Sequence, residues 1–198
     1  MTIRPLLIAA LAAAPVFIIF SGCGTSVERI DPITAVDVSG TWNDTDSRLV
    51  AEEMVKDCLT RPWADEFNKK HGKIPVVKVR RITVRTQGEV INTAIITDDL
   101  ISELINSGKA KAVASDAESD QARTERSEQE KHASNDTRKE NFQETGSDYI
   151  LVGSIESQDD QEGNKALKFY KATFRLVDVT TQDIVWQRSK PVKKLVKR

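Results

Sequence analysis

Apolar side chains recur along this chain with two different periods, and the switches between them mark out the elements. Within residues 46–67, Val50, Met54 and Cys58 fall four apart, and Leu59, Trp63 and Phe67 continue the stripe. That is the spacing of one helix face. Asp44, Thr45 and Asp46 offer capping oxygens and negative charge at its start. Pro62 falls inside the stripe, where it kinks or ends the helix, and His71-Gly72 is the break. Residues 74–86 predict a strand: β-branched Val77, Val79, Ile82 and Val84 alternate with Lys78, Arg80, Arg81 and Arg85. The doubled Arg80-Arg81 breaks the alternation and marks a bulge. Residues 92–107 return to the helical period, with Leu100, Ile101, Leu104 and Ile105 on one face and Ser107-Gly108 as the stop.

A short strand follows over residues 109–114. Residues 116–145 are charged and almost free of large apolar side chains, which predicts a solvated helix ended by Gly146. Three strands close the chain, over residues 149–157, 166–179 and 184–189. In the middle one, Leu167, Phe169, Lys171, Thr173, Arg175 and Val177 face one way, and Tyr170, Ala172, Phe174, Leu176 and Asp178 the other. Polar loops over 159–164 and 180–183 join them as hairpins. The order is α-β-α-β-α-β-β-β, an α/β fold with helices packed on a mixed β-sheet: parallel where helices cross over, antiparallel in the last strands.

The N-terminus has its own pattern. Arg4 supplies a positive charge, an apolar run extends from Leu6 to Phe20, and Ser21-Gly22-Cys23 follows. Charge, apolar stretch and small residues make a secretory signal over residues 1–22. A cysteine just after the cut can carry lipid, so Cys23 is the expected lipidation site and first mature residue. Phe20 stands where such a lipobox usually has Leu. A plain membrane-spanning anchor is the alternative, but it needs roughly 20 apolar residues, and this run is shorter. Residues 23–36 read as a tether, at most roughly 40 Å when extended.

Composition narrows the function. The net charge of −1 over 198 residues leaves no nucleic-acid footprint. Residues 116–144 hold nine acids against five bases. Residues 191–198 form a basic C-terminal tail, read either as a solvated end or as a contact for an acidic partner or wall polymer. With Cys23 taken by lipid, Cys58 has no disulfide partner and reads as a small buried hydrophobe.

Candidate chemistry is sparse. Asn43-Asp44-Thr45-Asp46 holds an Asp-x-Asp pair of the kind hard cations favour, but a helix cap needs only the same oxygens and is the preferred reading. His71 and His132 stand in polar contexts, and no Cys/His spacing suits zinc. Neither nucleotide-binding glycine motif is present, nor the Ser-x-x-Lys and Lys-Thr-Gly of penicillin-binding enzymes. Glu52-Glu53 lie off the apolar stripe and read as solvated. No cofactor, metal or catalytic residue is expected. Core packing is the default reading for Trp42 and Trp186, and exposed anchors for a partner are the alternative. The row including Arg80 and Arg81 is either a strand's solvent face or a charged docking surface.

Three segments carry a resemblance. They are Ser39-Gly40-Thr41-Trp42-Asn43-Asp44-Thr45-Asp46-Ser47, residues 145–155 from Thr145-Gly146-Ser147-Asp148 onward, and Leu176-Val177-Asp178-Val179 with Asp183-Ile184-Val185-Trp186. Together they resemble the LpoB family over residues 37–190; the sheet segments are similar more widely to TolB N-terminal and CsgG-like domains. The resemblance implies a non-enzymatic outer-membrane lipoprotein that binds and activates a class A penicillin-binding protein, a bifunctional peptidoglycan synthase. Trp42, Asp44, Asp46, Arg80, Arg81 and Trp186 are the candidate partner-binding residues, and Gly24, rather than Asp, after Cys23 resembles the sorting mark that sends proteobacterial lipoproteins to the periplasmic face of the outer membrane. One departure stands out: the best-known family member has a long Pro-rich linker after the lipid, and this chain has only about a dozen residues there. Either the synthase reaches up, the chain stays at the inner membrane, or the partner differs. The alternative function, a CsgG-like secretion or envelope-assembly lipoprotein, needs amphipathic membrane-hairpin strands, which the charged 116–145 segment does not offer.

Overall fold

The computed structural model describes residues 26–141 and 143–197. Cys23 and the expected signal lie outside the described residues. The chain divides into two units, Met1–Pro32 and Ile33–Arg198. Of the first, residues 26–31 hold neither helix nor strand. The second contains α1 (Asp44–Leu59), α2 (Trp63–His71), β1 (Val76–Val79), β2 (Thr83–Arg85), α3 (Thr93–Asn106), β3 (Lys111–Ala112), α4 (Asp116–His132), β4 (Tyr149–Glu162), β5 (Lys165–Asp178) and β6 (Ile184–Lys197). No helix among the described residues is long and apolar enough to cross a membrane.

The stripe expected over 46–67 is two helices, and Pro62 is the reason: it lacks the N–H needed to continue α1's hydrogen bonds. Trp63, the first residue of α2, turns its indole Nε1 onto the Cys58 carbonyl at 2.8 Å, which satisfies one orphaned acceptor at the end of α1. The sheet order is β3-β1-β4-β5-β6, with β2 also beside β4. β1 and β2 run parallel to β4 in line with each other. From Val79 to Thr83 the chain advances four residues while its partner advances three, from Leu151 to Ser154. The irregularity expected at Arg80-Arg81 therefore lies there, though it splits the expected strand in two.

One face of the sheet makes the core. Val50, Met54, Val55 and Cys58 of α1 and Ile96, Leu100 and Leu104 of α3 pack with Val77, Val79, Leu151, Ile155, Phe174 and Leu176. Tyr170, Ala172, Phe174 and Leu176 are the buried set of β5, as the alternation predicts. Burying a side chain of this size contributes about 2 kcal/mol. Cys58 is buried and free, and burial pushes its thiol up to about 12. It therefore stays protonated and inert at neutral pH.

Two expectations are corrected. The helix expected over 116–145 stops at His132. Ser134 and Thr137 there bond to each other at 2.8 Å, the local competition that makes such residues poor helix formers. The last strands are also longer than expected. Glu162 pairs with Lys165, so the β4–β5 connection is only Gly163-Asn164, with Gly163 at φ +57°. β6 runs on to Lys197, so most of the expected basic tail is paired strand. Its residues alternate, with Val192, Lys194 and Val196 turned to the core side and Lys193, Leu195 and Lys197 outward. β6 lies at the sheet edge, where Pro191 and the outward lysines discourage further pairing.

Candidate interaction site

The site begins with how α1 starts. Asn43, not an aspartate, is the N-cap: its Oδ1 accepts from the Asp46 N–H at 3.0 Å, and Asp46 Oδ2 accepts from the Asn43 N–H at 3.0 Å. This reciprocal pair is a capping box. Asp44 stands next to it as an exposed first helical residue, where its charge favours the positive end of the helix. Asp46 is only 8% exposed, because its carboxylate also holds Lys194.

Lys194 is 8% exposed, and its Nζ lies 2.6 Å from Asp46 Oδ2, 2.7 Å from Asp37 Oδ1 and 3.0 Å from the Thr41 carbonyl. Burial works against its charge, but the two carboxylates outweigh that and raise its pKa. The Lys194 ammonium in turn holds Asp37 below the usual carboxylate range. A second knot lies beside it. Glu89 accepts from the Trp42 N–H at 2.6 Å through Oε1 and from the Tyr170 hydroxyl at 2.6 Å through Oε2. Trp42 stands edge-on to Tyr170, and its Nε1 donates to Ser47 Oγ at 2.8 Å. Gly40 is required between the knots, since a β-carbon there would run into the Val196 side chain.

These contacts bind the chain before α1 onto β5 and β6. The attachment continues outward: Asn43 Nδ2 donates to the Val36 carbonyl at 3.3 Å, and Arg48 donates to the Ile33 carbonyl at 3.3 Å. Part of the expected tether is thus docked on the fold.

The six expected contact residues do not form one patch. Trp42, Asp44 and Asp46 sit together at the start of α1, with Trp42 half-buried. Arg80 and Arg81 are exposed at the irregularity between β1 and β2, where Arg80 pairs with Asp116 at 3.0 Å. Trp186 is 5% exposed and its Nε1 donates to Asp57 Oδ2 at 2.8 Å, so it is a core residue and not an exposed anchor. Asp57 also takes Arg188 at 2.7 Å, and Arg188 reaches Glu53 at 3.0 Å. Lys190 completes this row of pairs on Glu53. Its bonds to Trp186 and Arg188 hold Asp57 below the usual carboxylate range, and those to Lys190 and Arg188 do so for Glu53.

A groove of about 530 Å³ runs between α1 and the free edge of β6, lined by Leu49, Glu52, Glu53, Lys56, Lys190 and Pro191. Leu49 is 46% exposed there. Among the described residues no group of three or more His, Cys, Asp or Glu side chains is placed to hold a metal ion. Asp44 and Asp46 do not converge: one is solvated and the other is committed to Asn43 and Lys194. Glu89, Tyr170, Asp37 and Lys194 were not expected from the sequence. The signal for Lys194 was its register, a lysine on the same side of β6 as Val192 and Val196.

No curated protein matches the chain. The C-terminal domain of LpoB from Escherichia coli is 19% identical, covering 75% of this chain and 99% of that one, with a TM-score of 0.44. The NMR structure of Escherichia coli LpoB is 18% identical, covering 98% and 96% with a TM-score of 0.41. The corresponding domain from Salmonella enterica is 17% identical, covering 67% and 94% with a TM-score of 0.36. The family model for the peptidoglycan-synthase activator LpoB matches residues 46–192, from the capping aspartate to the last strand, and the chain therefore belongs to the LpoB family.

Proposed function

We propose that this chain is a non-enzymatic lipoprotein, held by lipid on Cys23 at the periplasmic face of the outer membrane. It binds a class A penicillin-binding protein and raises that enzyme's activity in peptidoglycan synthesis. The family match over residues 46–192 carries the reading. An activator of this kind needs no chemistry of its own. It must bind the active conformation of its target more tightly than the inactive one, and the ratio of the two affinities limits the activation. Trp42 and Asp44 at the start of α1, continuous with the groove beside β6, form the contact surface in this reading. Arg80 and Arg81 form a separate, charged contact.

The test mixes the mature chain with a purified class A synthase and follows glycan polymerisation. The expected result is a faster rate that saturates with added chain and weakens on Asp44→Arg. No binding, or binding without a change in rate, overturns the proposal. Incorporation of labelled palmitate, abolished by Cys23→Ala, tests the anchor separately.

A further inference from the structure

β5 and β6 present an open face opposite the core, and its composition changes along the strands. Towards the β4–β5 turn, register places Lys165 across from Lys197, Leu167 across from Leu195 and Phe169 across from Lys193. Leu195 is 59% exposed, and the three lysines are exposed. An apolar cluster thus sits inside a frame of lysines, and Lys193 Nζ lies 5.7 Å from the centre of the Phe169 ring. Like charges directly across a sheet are destabilising, and no ion pair joins any of these lysines to another of the described residues. The acids on the same face, Glu156, Asp160 and Glu162, all lie on β4, at the other side of β5 from β6, and Glu156 is paired with Arg85.

The same stretch of β6 holds the docked tether on its other side, through Lys194 on Asp37 and Val196 against Gly40. Between Cys23 and Ile33 the chain can span only about 35 Å. On the reading that Cys23 carries the lipid, this end of the sheet is the one kept close to the bilayer. We infer that the Lys165, Lys193 and Lys197 frame, with Leu167, Phe169 and Leu195 inside it, rests on anionic phospholipid headgroups. Lysines at such a surface gain from the negative headgroup potential, and the apolar side chains enter the interface between them. The inference rests on the proposed anchor for its geometry but not on synthase activation.

The test uses the mature chain as Cys23→Ser, so that no lipid contributes, and sedimentation with vesicles. Binding is expected to phosphatidylethanolamine vesicles containing phosphatidylglycerol, to fall with added salt, and to be absent on pure phosphatidylcholine. Reversing all three lysines to glutamate is expected to weaken partition about a hundredfold. Leu195→Ser weakens it less, and Lys197→Glu alone gives a part of the loss if the triple variant melts early. The inference is overturned if the parent chain ignores phosphatidylglycerol or binds phosphatidylcholine equally. It is overturned too if the lysine variants keep vesicle binding, or if they lose only synthase binding in detergent, which would assign the face to a protein partner. Vesicle binding without synthase stimulation would overturn the proposed function alone.

Discussion

Helices α1 and α4 start alike and end as opposites. Each opens with a capping box, Asn43 with Asp46 in one and Ser115 with Glu118 in the other, and each has acids in its first turn and a base in its last. Yet α1 buries Val50, Ala51, Met54, Val55 and Cys58, while α4 buries none of its residues. Capping chemistry sets where a helix begins, and packing sets whether the fold depends on it. α4 is held at its margins by exposed ion pairs and a few surface hydrogen bonds. Asp116 takes Lys78 at 2.9 Å and Arg80, and Glu144 takes Arg123 at 2.8 Å and Arg126. Exposed pairs of this kind contribute little each.

The contrast is broken most strongly at Met54. Met54→Ala leaves a cavity against α3 and the sheet and should cost about 3 kcal/mol in urea unfolding, while Ala122→Ser in α4 should leave the midpoint in place. Asp46→Ala removes half of a cap and one of the two carboxylates on a buried ammonium, and should cost about 2 kcal/mol. Ser115→Ala removes the equivalent cap in α4; its effect should appear as faster amide exchange in the first turn of α4, with little change in global stability. Acid sharpens the comparison. Asp37, Glu53 and Asp57 have lowered pKa values in the folded state, so they stabilise it at neutral pH, and that contribution is lost as pH falls below the ordinary carboxylate range. Thermal melts should therefore drop between pH 5 and pH 3, and Asp57→Asn should shrink the drop. The smallest effect belongs to Glu144, whose carboxyl the Arg123 and Arg126 guanidiniums lower to about 2. Glu144→Gln should free the segment after α4, seen in amide exchange, without moving the unfolding midpoint.

What was legible in the sequence follows the same division. The stripe of Val50, Met54 and Cys58 and the alternation from Tyr170 to Leu176 are local patterns, and they gave the core faces of α1 and β5 correctly. The LpoB resemblance rested on contiguous segments and held. What failed depends on residues far apart. Lys194 is buried because Asp37 and Asp46 meet it from the other end of the chain, so a run of lysines that looks like a tail is the end of a strand. For Trp186 the default core reading held, and what the sequence did not show was that Asp57, on another element, takes its indole N–H. The end of α4 was misplaced because Ala, Glu and Arg content signals helix over more residues than local Ser and Thr bonding allows.

The clip at Lys194 also has a mechanical meaning. Tension drawn through residues 33–37 enters the fold near the far end of β6, and β6 is bonded to β5 along nearly its whole length. A pull that drew β6 lengthwise against β5 would load many of these backbone hydrogen bonds together, in shear, rather than opening them one at a time. Residues 33–37 are thus joined to a strand whose attachment to the sheet is shared among many bonds.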